Sequence, residues 1–348
     1  MSTPFTQAPR RRITMRDIAL KLGIDRSTVS LSLRGHPRIS KALRQKVEET
    51  AGQMGYRPDA MLSALAYYRH TTTPSSAPGL AWINRGASAW ELRSKREINA
   101  FYEGAKETSK NNGYVLHDLW LDPEEPLSRS RKLFKTHNIK GLLIPPNSSE
   151  GAWDGIEWEN YAVLGFGYSA GSLPIHCVMV DQMHAGVIAF EKAYAKGYRR
   201  IGLCTGRDGM AQAWRYVSGF LLAQSEVPNI EPLPILKLDG IDPMEDRKLL
   251  LEWLKRTSVE AIFTTLSNTR SLLESVGYRV PEDVALAASS PIDSDVDAGI
   301  NNRSSELGKV AVETLISHLN HNRRGIPKVM CSHTIEPQWV DGTCLPER

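Results

Sequence analysis

Residues 14–35 read TMRDIALKLGIDRSTVSLSLRG, and the spacing of small, apolar and hydroxyl side chains in this run decides the architecture of the N-terminus. Thr14 followed three residues later by Asp17 is a helix-start signature, and Ile18, Ala19 and Leu22 then share one face before Gly23 ends the helix. Asp25 is placed to cap a second short helix with Val29 and Leu33 inward, Arg26, Ser27, Ser30 and Arg34 outward, and Gly35 as its stop. Two short helices across a tight glycine turn make a helix-turn-helix. Its second helix carries what a DNA major groove requires: arginines that pair with guanine edges, hydroxyls that reach bases or phosphates, and small residues that permit close approach. Ser40 caps a third helix, with Leu43, Val47, Ala51 and Met54 facing inward and Gly55 behind it, so the three helices can share one small core.

Charge supports this reading by its distribution. Residues 1–60 hold twelve Lys/Arg against five Asp/Glu, a net of +7 in a chain whose total is +4, so the rest carries a net of −3. A basic end on a near-neutral body fits either a polyanionic partner or a solvated basic tail. The length of 348 residues calls for more than one domain. No apolar run approaches the roughly 18 residues of a membrane span, and the N-terminal basic cluster has no apolar signal core behind it, so a cytoplasmic location is expected. Cys177, Cys204, Cys331 and Cys344 are scattered without metal-ligand spacing. Neither a metal nor another cofactor is expected.

Residues 13–66, from ITMRDIALKLGIDRSTVSLSLRG through GYRPDAMLSALA, resemble the DNA-binding headpiece and hinge of the LacI/GalR family of bacterial repressors. The shared pattern is T-x-x-D-I-A, G-I, S-T-V-S, R-I-S, R-x-K-V and G-Y-x-P, with a leucine in the hinge. The resemblance implies that Arg26 and Ser27 begin the recognition helix as base readers, with Thr14, Thr28, Ser30 and Ser40 as backbone anchors and Arg34 among the DNA contacts. It implies a hinge helix at 59–66, ordered on DNA, whose Leu65 wedges into the minor groove. Leu31 stands where the family very often has an arginine after T-V-S, which removes a guanine contact. The implied domains are a headpiece at 1–58, a hinge and linker at 59–78, and a core at 79–348.

Beyond the linker TTTPSSAP (71–78), short apolar runs alternate with helical stretches. GLAWIN, YVLHDLW, GLLIPP, YAVLGFG, CVMVD, RIGLCTG, ILKLDG, AIFTTL and VALAAS read as strands, and helices are expected between most of them. This alternation predicts parallel sheets covered by helices on both faces, in two α/β lobes with a ligand cleft beyond the strand ends. The fold class expected is therefore an all-α headpiece plus an α/β two-lobe, periplasmic-binding-protein-like core. In the fold that the resemblance implies, the chain crosses between lobes three times, giving lobe one at 79–180 and 302–329 and lobe two at 181–301 and 330–348. Three polar anchors of the family's usual sugar site are replaced here, by Leu266 and Ser267, by Tyr216, and by Ser290 with Pro291. Arg215, Asp293 or Asp295 could substitute, and Trp90, Trp214 or Tyr168 could stack on a sugar face or equally pack in the core.

The expectation is a homodimeric, sequence-specific repressor on a pseudo-palindromic operator, controlled by a small-molecule effector that is a sugar or a derivative. A regulator with a non-sugar or lost effector site is the alternative. A remoter one is a serine hydrolase, since GYSAG (167–171) matches the G-x-S-x-G elbow around Ser169. The elbow needs a helix at once, whereas Leu173, Pro174 and another β-like run follow, so no enzyme is expected. His176 and His184 read as loop or surface residues, and CTGRDG lacks the ending of a phosphate-binding loop.

Overall fold

The computed structural model describes residues 13–33, 39–56, 77–86, 88, 90–146, 153–167, 173–206, 210–228, 230–238, 240 and 242–348. The chain divides into two units, Met1–Pro74 and Ser75–Arg348. In the first, α1 (Met15–Leu22), α2 (Arg26–Leu33) and α3 (Lys41–Gln53) enclose a core of Ile18, Ala19, Val29, Val47 and Ala51. Leu22, Leu33, Leu43 and Met54 pack around that core, so the apolar spacing read from sequence is the inward face of each helix. The local signals at α1 and at the start of α3 act as expected, while Gly35 lies outside the described residues. Asp17 accepts from both the backbone N–H and the hydroxyl of Thr14 at 2.7 Å. Gly23 takes a left-handed conformation, φ +63°, which ends α1 and turns the chain toward α2. The Ser40 hydroxyl accepts from Leu43 N–H at 3.3 Å at the start of α3.

The second unit holds two six-stranded sheets. Its elements run β1 (Gly79–Asn84), α4 (Glu91–Ser94), α5 (Arg96–Asn111), β2 (Val115–Trp120), α6 (Ser130–Thr136), β3 (Ile139–Ile144), β4 (Ala162–Phe166) and β5 (Cys177–Val180). There follow α7 (Gln182–Ala195), β6 (Ile201–Gly206), α8 (Met210–Ser225), β7 (Leu236–Leu238), α9 (Pro243–Thr257), β8 (Ala261–Thr264), α10 (Thr269–Ser275) and β9 (Ala285–Ala288). The chain ends with β10 (Gly299–Asn301), α11 (Ser304–Asn320), β11 (Ser332–Ile335) and β12 (Gln338–Val340). The first sheet has the order β11-β5-β4-β3-β1-β2, the second β12-β10-β9-β8-β6-β7. β1, β4 and β5 are buried along their whole length and β3 everywhere but at Lys140, as expected of strands covered on both faces.

The chain passes between the sheets after β5, between β10 and α11, and between β11 and β12. The third passage falls after Ile335, later than the expected 330, because Ser332–Ile335 adds in parallel beside Cys177–Val180. A second departure follows from it. β12 pairs antiparallel with β10, although the alternation of runs predicts parallel sheets throughout. The parallel strands end at the side where the chain crosses, so a strand entering the second sheet from that side must run the opposite way.

Glycines decide how closely helices approach within each lobe. A Cβ at Gly104 of α5 would strike the backbone carbonyl of Ser305, and one at Gly308 of α11 would strike that of Phe101. The same reciprocity joins α7 and α8, where Gly186 lies on the Tyr216 carbonyl and Gly219 on that of Met183. The first pair fixes the middle of α5 against the first turns of α11.

Candidate functional site

Two surfaces carry candidate chemistry. In the headpiece, Arg26 and Ser27 are exposed at the first turn of α2, held there because Val29 is anchored with no exposure in the three-helix core. Thr28 and Ser30 are half-buried, while Thr14 and Ser40 are exposed at helix starts. Ser32 turns inward, and its hydroxyl donates to the Thr28 carbonyl at 2.8 Å, so this buried polar group is satisfied within the helix. Arg34 and the expected hinge, with Leu65, lie outside the described residues.

In the core, a cavity of about 780 Å³ opens between the lobes. Its lobe-one wall includes Phe101, Phe166, Pro146 and Met179, and its lobe-two wall includes Gln182, Tyr216, Leu266, Ser267 and Ser290. Phe101 and Phe166 stack at 5.5 Å with their planes 6° apart, giving an apolar patch beside hydroxyl and amide groups. Strand ends place the polar residues, as expected for a doubly wound sheet.

The centre of the polar set is Glu97, in the first turn of α5. Its carboxylate accepts from Asn302 Nδ2 at 2.6 Å, from the Ser290 hydroxyl at 3.0 Å and from the Ser304 hydroxyl at 3.2 Å. Asn302 also donates to the Ser289 carbonyl at 3.1 Å, and its Oδ1 stands 3.5 Å from the Tyr216 hydroxyl. Burial pushes the Glu97 carboxyl above the usual carboxylate range and Asp293 adds to that rise, while the hydrogen bonds from Asn302, Ser290 and Ser304 oppose it. Burial likewise raises the Tyr216 phenol, with Glu97 acting in the same direction. A second carboxylate makes the reverse crossing. Asp293, from the segment after β9, accepts from the backbone N–H of Arg96 at 2.7 Å and of Glu97 at 3.1 Å, capping α5 from the other lobe.

Of the sequence candidates for this cavity, Tyr216, Ser290 and Asp293 line it. Trp90, Trp214 and Arg215 are not among its lining residues, which corrects the expectation for them. Trp90 precedes α4 and is 77 % exposed. Tyr216 points α8's inner face at the cavity, and Trp214, two residues or about 200° earlier, therefore faces away. The Arg215 guanidinium lies over the Trp214 ring at 4.2 Å instead. Asp295 caps α10, accepting from Ser271 N–H at 2.9 Å. Tyr168 and Ser169 lie outside the described residues, and from Leu173 the chain leads into β5 instead of a helix. Glu97 and Asn302 escaped notice because a lone Glu in the sequence RSKREINAF is indistinguishable from a solvated helix face; only the helix contact at Gly104 and Gly308 gives it partners.

The described residues contain no helix long and apolar enough to cross a membrane. Residues 14–59 match the family model described as bacterial regulatory proteins, lacI family. The ribose operon repressor of Haemophilus influenzae is 22 % identical over 326 residues, covering 88 % of this chain and 92 % of that protein. The solved lac repressor dimer bound to operator and the anti-inducer ONPF matches with a TM-score of 0.57 at 14 % identity, over 97 % of this chain and 100 % of that one. The transcriptional regulator CelR in complex with cellobiose matches with a TM-score of 0.56 at 16 % identity, over 96 % of this chain and 100 % of that one. The headpiece thus matches the family model of the lacI bacterial regulatory proteins, and the chain as a whole is similar to a repressor in sequence and to LacI-type regulators in fold.

Proposed function

We propose that the protein is a transcriptional repressor that binds a pseudo-palindromic operator as a homodimer and is controlled by a small molecule in the interlobe cavity. The observation that carries the DNA half of this reading is the exposed Arg26–Ser27 pair at the start of α2, presented by a packed three-helix core in a segment of net charge +7. By the resemblance these positions read bases, with Thr14, Thr28, Ser30 and Ser40 on the DNA backbone, Arg34 among the DNA contacts and Leu65 in the minor groove. The cavity supports an effector of sugar-like chemistry: a hydroxyl- and amide-bearing lining beside the Phe101–Phe166 face suits a ligand with polar edges and an apolar side. The ribose operon repressor and CelR are named for sugar-linked roles. In this reading the protein is a regulator and performs no catalysis.

The effector acts by differential affinity for two lobe arrangements. Glu97 and Asp293 make hydrogen bonds between the lobes, so a ligand that competes for Ser290 or Asn302 shifts that equilibrium. Fluorescence anisotropy with DNA from upstream of its own coding sequence, at stated salt, tests the reading. Specific binding that a ligand changes supports it; undetectable specific binding, with and without ligands, overturns it.

A further inference from the structure

His176 stands just before β5, half-buried, and its ring lies 4.9 Å from that of His318 in α11, with the two planes 54° apart. His318 is only 7 % exposed. The groups that act most on this pair are His321 of α11, Arg323 just beyond that helix, and His333 of β11. Each of them carries or can gain positive charge, so a proton taken up by either ring meets repulsion. Burial acts first and lowers both imidazoles below the usual histidine range, His318 to about 4, and these neighbours lower them further.

The His176 ring also holds backbone. Its Nδ1 accepts from the Cys331 N–H at 3.0 Å, and the Cys331 carbonyl accepts from the Cys177 N–H at 3.1 Å. Cys331 immediately precedes β11, so these two bonds fix the entry of that strand onto β5, where Cys177 is level with Ser332. An imidazole that accepts at Nδ1 carries its proton on Nε2. A second proton can go only to Nδ1, where it would confront the Cys331 N–H as donor against donor. β11 is an edge strand paired on one side, with Ser332, His333 and Thr334 exposed, so little else secures its start. After Ile335 the chain crosses to the second lobe.

We propose that His176 is an acid-sensitive clasp: neutral, it holds Cys331 and β11 on the first sheet, and on protonation it releases them and loosens the third passage between the lobes. The lobe arrangement then responds to protons as well as to any ligand in the cavity, and the clasp is independent of what that ligand is. Both rings are held below the ordinary histidine value of about 6.5, so the folded segment binds fewer protons than the released one; the clasp is fully held above pH of about 6.5 and is lost as pH falls below it.

The test is hydrogen exchange of the full-length protein at pH 7.5 and 5.5, corrected for the intrinsic pH dependence of amide exchange, in the wild type, His176→Asn and His318→Phe. At one pH unit below the ordinary value, a histidine that must stay neutral in the closed state raises the opening equilibrium on the order of tenfold. The expected result is a rise of that size over Cys331–Ile335 in the wild type, with Ala261–Thr264 of β8 unchanged. His176→Asn puts Oδ1 where Nδ1 stands and gives the Cys331 N–H an acceptor that does not titrate, so it should lose most of the rise. His318→Phe keeps a ring against His176 and leaves the Nδ1 bond in place, so it should still respond. No rise in the wild type overturns the proposal, and so does an equal rise in wild type and His176→Asn, which would place the acid sensitivity elsewhere. Exchange at the His176 imidazole Cε1 in the wild type is a second readout that needs no variant: a midpoint clearly below 6.5 supports the clasp, and one at or above 6.5 overturns it.

Discussion

Glu97 and Asn302, 205 positions apart, meet at 2.6 Å where α5 of the first lobe faces the strand crossing that precedes α11. Asp293 returns the connection by capping the start of α5. The two carboxylates thus bind the lobes from opposite directions, each satisfied by donors that it does not share with the other.

Removing Glu97 should therefore loosen the interlobe contact more than it disturbs either core. Glu97→Ala leaves the Asn302, Ser290 and Ser304 donors without their acceptor and should lower core stability by about 2 kcal/mol, within the range for hydrogen bonds to a charged group. Glu97→Gln, which keeps one acceptor oxygen, should lose less. Small-angle scattering should register a larger radius of gyration for the alanine variant; an unchanged radius and stability would remove the contact from any role in closure.

The same carboxyl has a pH signature. Its folded pKa is raised above the unfolded value, so the folded state binds more protons, and this group's contribution makes the protein more stable as pH falls from its folded pKa toward about 4.3, the unfolded value. The difference in stability between wild type and Glu97→Gln, followed by urea denaturation from pH 7 to 5, should shift in favour of the wild type on acidification. A difference that stays flat counts against the raised pKa.

Asp297 runs the opposite way. It accepts from Thr343 N–H and hydroxyl, both at 2.8 Å, and from Cys344 N–H at 2.9 Å, pinning the C-terminal segment. Burial opposes the charged form, but these bonds prevail and hold the carboxyl well below its usual range. Its contribution is therefore present above pH of about 4 and lost as pH falls further. Asp297→Asn should lower stability at pH 7 and narrow its deficit below pH 4; proteolysis at the C-terminus reads the same loss directly.

Gly308→Ala should be more damaging than its size suggests. The added methyl would strike the Phe101 carbonyl and force α11 from α5, a cost of roughly 1–3 kcal/mol or more. A midpoint equal to wild type would mean that the helices separate without penalty.

In the headpiece, Arg26→Ala should relax base choice at one position of each half-site, by about 1–3 kcal/mol if the contact is bidentate. Selection of binding sequences from a random pool decides this, since an unchanged preference restricts Arg26 to phosphate. Leu65→Ser should weaken operator binding and leave effector affinity alone; equal operator binding would remove Leu65 as the wedge.

The sequence by itself determined the headpiece and the element alternation. Thr14, Gly23 and Ser40 act within a few residues of their own backbone, and Ile18, Val29 and Val47 are placed inward by helical period alone. Strand identity from β1 to β9 was legible for the same reason, because each apolar run is bounded by local turn signals. Tertiary structure decided the rest. β11 and β12 are edge strands with polar sequences, and their pairing depends on neighbours far along the chain, Cys177–Val180 and Gly299–Asn301. The cavity's polar set is assembled from Glu97, Ser290, Asn302 and Ser304, whose meeting depends on a helix approach permitted by Gly104 and Gly308. Which aromatic faces the cavity was likewise set by rotation about α8, where Tyr216 turns in and Trp214 turns out. Local signals act through the nearest few residues, whereas a cleft is made by surfaces that only the folded chain brings together.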